Sequence, residues 1–189
     1  MIRILSVLGI LVLLSACADP TRDLSQPVEP MGDFKLGFSE VVAPNLQKLL
    51  VSRDATAEEL TTQLDAAMEQ RFGRFEGSKY YHLGISIEGY SLPPPVVPGK
   101  TYLAFRVTVW DDSTQSRLNA EPKLFTNAQI FESRIASSRE ESLKRLMETS
   151  AKLVEDWLRE MQAEEGWFTT PGDAAAAETA ATGAPATAG

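Results

Sequence analysis

The chain has 189 residues, a formal net charge of −8 and a pI near 4.8. Such acidity argues against a nucleic-acid partner, which needs a basic face for phosphate, and against adsorption of the folded part to anionic lipid. One cysteine, Cys17, and one histidine, His82, rule out an internal disulfide and any cluster of several thiol or imidazole ligands.

The N-terminus pairs one basic residue, Arg3, with an apolar run from Ile4 to Leu14. That run is about 11 residues, whereas a membrane-spanning helix needs about 20, so it reads as a secretory signal. Leu14-Ser15-Ala16-Cys17 closes it and resembles the bacterial lipobox, in which an aliphatic and two small residues precede a cysteine. In that family the thiol takes diacylglycerol, the signal is cut before the cysteine, and the new amine is usually acylated. The resemblance implies a signal peptide over 1–16, lipidation at Cys17, and a cell-envelope location at the outer membrane facing the periplasm. Two or three acyl chains hold a protein stably, where one gives only marginal binding. The other reading is a secreted protein cut near Ala16 or Ala18, left with an odd thiol in an oxidising compartment.

After the cysteine, residues 17–32 read as a lipidated tether, because Pro20, Pro27 and Pro30 and scattered charge leave nothing periodic to bury. Residues 169–189, nearly all Ala, Thr, Gly and Pro, read as a disordered tail that cannot repay its ordering entropy. The globular domain is then 33–168. Within it Asp33 to Val42 alternates as a half-buried strand, with Phe34, Leu36 and Phe38 on one side. Leu46 to Val51 has no assignable state. Thr56-Ala-Glu-Glu59 is a capping box opening a helix over 57–72, with Leu60, Leu64, Ala67, Met68 and Phe72 on one stripe. Arg71 and Arg74 suit its negative end, and Gly73 its stop.

Lys79 to Tyr90 is the clearest strand, with Tyr81, Leu83, Ile85 and Ile87 on one side. A proline-rich loop, Ser91 to Lys100, interrupts it. Thr101 to Asp111 is the next strand, with Leu103, Phe105, Val107 and Val109 inward; a polar turn and a fourth strand within Leu124–Phe131 follow. Ser138-Arg-Glu-Glu141 is a second capping box, opening a long helix with Leu143, Leu146, Val154, Trp157 and Leu158 on one stripe. Its opposite face offers Glu140/Lys144, Glu141/Arg145, Glu148/Lys152 and Glu155/Arg159 at i,i+4, and Gly166 would cap its end. The order β-α-β-β-β-α predicts an α+β two-layer sandwich: a mostly antiparallel sheet of about four strands with both helices on one face.

No catalytic residues, metal ligands or cofactor site can be assigned. His82 has no second ligand, and no serine or cysteine stands in a nucleophile elbow. Asp111-Asp112-Ser113-Thr114 is ordinary turn chemistry rather than a cation loop. Glu88 and Asp111 form a hydrolytic pair only if the fold brings them together. The informative feature is the sheet face away from the helices. By alternation Tyr80, His82 and Tyr90 share it, as do Tyr102, Arg106 and Trp110. Aromatics with Arg compose binding hot spots, although the same residues also favour plain cross-strand packing.

With the lipobox and this element order, the stretch Val107-Thr-Val-Trp-Asp-Asp-Ser-Thr-Gln-Ser-Arg-Leu118 is similar to a strand–Asp-turn–strand segment of small Gram-negative envelope lipoproteins. These include uncharacterised periplasmic members and transporter-auxiliary and LPS-assembly types. The LPS-assembly type begins its domain soon after the cysteine, whereas here a proline-rich stretch intervenes. The resemblance implies membrane attachment through Cys17 and a non-enzymatic role in docking on an envelope protein, by the aromatic face or a free edge strand. The alternative is a periplasmic carrier holding a small apolar or lipid ligand between sheet and helices. A hydrolase is disfavoured, since the nucleophile–base set is missing.

Overall fold

The computed structural model describes residues 19–49, 51–95, 97, 99–129 and 138–170. The signal segment, Cys17, Phe131 and the tail beyond Thr170 lie outside the described residues. The elements are β1 (Phe34–Val42), β2 (Gln47–Lys48), α1 (Ala57–Phe72), β3 (Lys79–Ser91), β4 (Thr101–Asp111), β5 (Ser116–Arg117), β6 (Lys123–Gln129) and α2 (Arg139–Glu165).

The fold is α+β, two helices on one side of a single mixed sheet. β3 and β4 pair antiparallel at its centre. β1 and β2 run one after the other along the outer edge of β3, both parallel to it. β5 and β6 share the far edge of β4 and run antiparallel to it. Six strand segments thus fill a sheet four strands wide. The parallel pairs arise because α1 intervenes between β1 and β3, and a strand–helix–strand crossover returns the chain in the same direction. Between β5 and β6, the Asn119 side chain completes the ladder: it accepts from the Val109 N–H at 2.8 Å and donates to the Val107 carbonyl at 3.0 Å.

The helices and strands meet over a continuous apolar core. Leu83, Ile85, Ile87, Val107 and Val109 face Leu64, Met68, Phe72, Leu146, Val154 and Leu158, all essentially without exposure. The helix ends follow local chemistry. Ser138 and Glu141 form the full capping box, at 3.1 and 2.9 Å, and Gly166 ends α2 in the left-handed region at φ 67°. At α1 only half of the expected box forms. Thr56 accepts from the Glu59 N–H at 3.0 Å, but the Glu59 carboxylate turns away to Arg139 at 2.6 and 2.7 Å, joining the starts of both helices.

Two interruptions change the register. β1 bulges between Leu36 and Phe38, and β3 between Ile87 and Gly89. An extra residue in a strand reverses the side to which everything beyond it points. Phe38 therefore leaves the core side assigned to it by alternation and joins the opposite face, 55% exposed. Tyr90 makes the reverse crossing.

Residues 19–32, assigned in the sequence to the tether, lie along the outside of the helix layer. Asp23 lies within a short 3-10 turn, Arg22–Ser25. Arg71 of α1, 1% exposed, donates to Asp23 at 2.9 Å, to Glu155 of α2 at 2.7 Å, and to the Pro20 carbonyl. Arg74 donates to the Asp23 carbonyl at 3.0 Å and Arg159 to the Glu29 carbonyl at 3.0 Å. Met31 is buried, and the Asp33 N–H donates to the Phe168 carbonyl at 2.7 Å. This strap explains two departures from the helical-wheel reading. Arg71 serves a buried cluster and not only the helix dipole, and Glu155 is covered instead of solvated. Of the i,i+4 pairs read from sequence, Glu155–Arg159 forms at 2.9 Å, while Lys152 turns to Asp156 at 2.8 Å.

Leu83→Ala and Val107→Ala are each expected to cost about 2–4 kcal/mol in urea unfolding, through lost burial plus a cavity. Trp110→Ala, on the open side, should cost clearly less; a larger loss at Trp110 would mean an inverted register. The Arg71 hydrogen bond holds the Asp23 carboxyl below its ordinary value of 3.8. A carboxyl depressed in the folded state stabilises above its unfolded pKa and ceases to do so as pH falls through the folded value. The stability difference between the native chain and Asp23→Asn should thus be constant above about pH 5 and close with further acidification, as read by urea unfolding across a pH series.

Candidate functional site: the open face of the sheet

The face away from the helices is set by pairing across four strands. Phe38 of β1 stands opposite His82 of β3, which stands opposite Trp110 of β4, itself opposite Arg117 of β5. The rings of Phe38 and His82 stack at 4.0 Å with 24° between planes. The Arg117 guanidinium lies 6.0 Å from the Trp110 ring, a cation–π distance. One step along, Lys35 covers the Tyr80 ring at 5.2 Å. The stack depends on Gly37: a Cβ there would run into the His82 imidazole.

His82 carries the one buried side-chain polar atom without a hydrogen-bond partner among the described residues. Its Nε2 lies 3.1 Å from the Asp112 carboxylate, while Nδ1 is buried with no hydrogen-bond partner among the described residues. A carboxylate at Nε2 favours the tautomer that carries its proton there, leaving Nδ1 an unfilled acceptor beneath Phe38. Neighbouring Asp111 caps the turn, accepting from the Ser113 N–H at 2.8 Å and hydroxyl at 2.6 Å. Partial burial pushes its carboxyl up, but these hydrogen bonds outweigh that and hold it below the ordinary value. Asp111 is thus occupied within its own turn, and Asp112 with His82 and the Gln115 amide.

Two shallow depressions adjoin along the face. One, about 330 Å³, is walled by Phe38, Glu40, His82, Trp110, Asp112 and Gln115. The other, about 270 Å³, takes in Val42, Ser86, Arg106, Thr108 and Pro122. Glu40 and Gly84 belong to both, and the missing side chain at Gly84 leaves the floor between them open.

Of the six residues singled out from sequence, Tyr80, His82, Arg106 and Trp110 lie on this face. Tyr102 keeps to the same side, half-buried at the far end of β4 opposite Ser91. Tyr90 does not belong to it. The β3 bulge turns it into the core at 3% exposure, where its hydroxyl accepts from the Ala55 N–H and donates to the Ala55 carbonyl, both at 3.1 Å. Phe38, Val42 and Leu124, which alternation did not place here, complete the patch. The only sequence signal for Phe38 was a glycine inside a strand pattern, a mark of a bulge. Five of the large apolar residues exposed among those described (Phe38, Val42, Tyr80, Trp110 and Leu124) are on this one face.

Glu88 and Asp111 lie six residues apart along the β3–β4 ladder, about 20 Å at the rise of a strand, so they form no hydrolytic pair. Glu88 instead stands 3.9 Å from Arg106. Among the described residues no three His, Cys, Asp or Glu side chains come close enough to hold a metal ion, and no helix is long and apolar enough to cross a membrane.

No family model matches the chain, and no curated protein matches it. Among solved structures it is similar to a Xanthomonas campestris protein of the DUF330 family, with 13% identity over 74% of this chain and 93% of the other, at a TM-score of 0.46. It is also similar to PelC from Paraburkholderia phytofirmans, described as a dodecamer (10% identity, 68% and 92% covered, TM-score 0.40). A minor lipoprotein from Acinetobacter baumannii matches at 18% identity, with 65% and 94% covered and a TM-score of 0.31. At these values no residue role passes from any of them to this chain.

Gly37→Ala should push the imidazole off Phe38. The ring resonances of His82 are expected to lose their ring-current shift while the core methyl resonances of Leu83 and Val107 stay in place. Unchanged His82 resonances would contradict the stacked arrangement.

Proposed function

We propose that this chain is a non-enzymatic lipoprotein of the Gram-negative cell envelope, anchored through Cys17 and docking on an envelope protein by the open face of its sheet. The observation that carries the docking role is the gathering of Phe38, Val42, Tyr80, Trp110 and Leu124 on one face, interspersed with Arg106, Glu40 and Glu88. Soluble domains seldom gather large exposed apolar side chains on one face without a use for them, and aromatic side chains with Arg are the residues that dominate interface energies. The charged neighbours would form the rim, giving orientation more than affinity.

Support for the anchor is the lipobox-like Leu14-Ser15-Ala16-Cys17 behind a short apolar run. The carrier alternative has less behind it. A ligand between sheet and helices would have to displace Leu64, Met68, Phe105 and Leu158, which fill that space without exposure.

A photo-crosslinking amino acid placed at Trp110 in the full chain should trap one discrete partner band in intact cells, and the same group at Asp156 on α2 should not. Cys17→Ala should abolish acyl labelling and greatly reduce the Trp110 adduct. Equal adducts from both positions, or none from Trp110 in a correctly lipidated protein, would overturn the docking assignment.

A further inference from the structure

The strap fixes where the chain leaves the domain on its way to Cys17. Pro20 is held by its carbonyl to the guanidinium of buried Arg71, and Asp23 is held to the same group. Only three peptide units separate Cys17 from Pro20, so their Cα atoms are at most about 11 Å apart. An acylated Cys17 sits at the lipid surface, and the point of exit is therefore held near it too. That point is on the outer side of the helices: Asp19 and Pro20 share a surface depression with Lys144, Arg145 and Glu148 of α2. The open sheet face lies on the opposite side, beyond a helix layer about 10–12 Å thick.

We infer that the lipid anchor seats this domain with its helix layer against the bilayer, the strap and the Lys144–Arg145 stretch of α2 at the lipid surface, and the open sheet face turned away. The inference rests on the proposed lipidation of Cys17. The surface at the exit carries Asp19, Glu141 and Glu148 beside Lys144 and Arg145, so charge does not drive approach to an anionic leaflet and opposes it weakly. Orientation comes from the short covalent lead and the buried clamp. The face available to a protein partner is then the one pointing into the aqueous space.

The test uses the full lipidated chain in phosphatidylethanolamine–phosphatidylglycerol vesicles doped with a Ni(II)-chelating lipid. Lipidation consumes the one native thiol, so a nitroxide can be attached at Lys144→Cys or, on the open face, at Thr126→Cys. Relaxation of the label by the lipid-borne nickel should be severalfold stronger at 144 than at 126. Inserting a long Gly/Ser spacer between Ala18 and Asp19 should erase that difference. Equal relaxation at both sites without the spacer, or stronger relaxation at 126, would overturn the orientation while leaving the anchor intact. A protein that fails to float with vesicles, and whose N-terminal peptide carries no acyl mass, would overturn the anchor itself and the orientation with it.

Discussion

The arrangement of this protein turns on one buried guanidinium. Arg71 leaves α1 for a buried position, and a charge there is tolerated only with hydrogen-bond partners. Glu155 of α2 supplies one partner, while Asp23 and the Pro20 carbonyl of the N-terminal strap supply the others. Desolvation pulls the guanidinium pKa down, but the two carboxylates outweigh it and raise it, so the group stays charged. One side chain thereby joins both helices and a segment some fifty residues upstream. Removing either carboxylate would leave the same cation less well compensated, which is why the strap and the helix pair act as one packing problem.

With the helices and strap gathered on one side, the sheet has one face covered and one bare. A two-layer sandwich of this kind spends its apolar residues on the covered face and normally places polar ones outside. Here the bare face keeps Phe38, Tyr80, Trp110 and Leu124 exposed, and small or absent side chains at Gly37 and Gly84 let the aromatic row lie close to the backbone. The bulges contribute to the same end, since one moves a phenylalanine out and the other takes a tyrosine in. The patch is built by register rather than by composition.

Where the controlling chemistry is local, the sequence was readable. Thr56 and Gly73 bound a helix whose ends agree with the structure, and Thr101 to Asp111 is bounded by a proline-rich loop and an Asp-Ser turn. The inward set on β3 and β4, from Tyr81 to Ile87 and from Leu103 to Val109, follows from alternation alone. Tyr90 and Phe38 went to the wrong sides because a bulge is decided by the partner strand, which the local pattern does not contain. The buried roles of Arg71 and Glu155 were hidden for a related reason. Their positions in the chain are 84 residues apart, and a charged residue in a helical pattern reads as solvated unless its distant partner is known. The two-residue β2 was too short to leave any periodic trace.

The bare sheet face is expected to be covered by a protein partner in the envelope. Hydroxyl-radical footprinting of the full chain, in intact envelopes and after purification in detergent, addresses this directly. Oxidation of Phe38, Tyr80 and Trp110 should be suppressed in the envelope relative to the purified protein. Leu49 and Val51, exposed past the end of β2 and outside both depressions, should be modified equally in both. Equal oxidation of the three aromatics in the two settings would contradict the account.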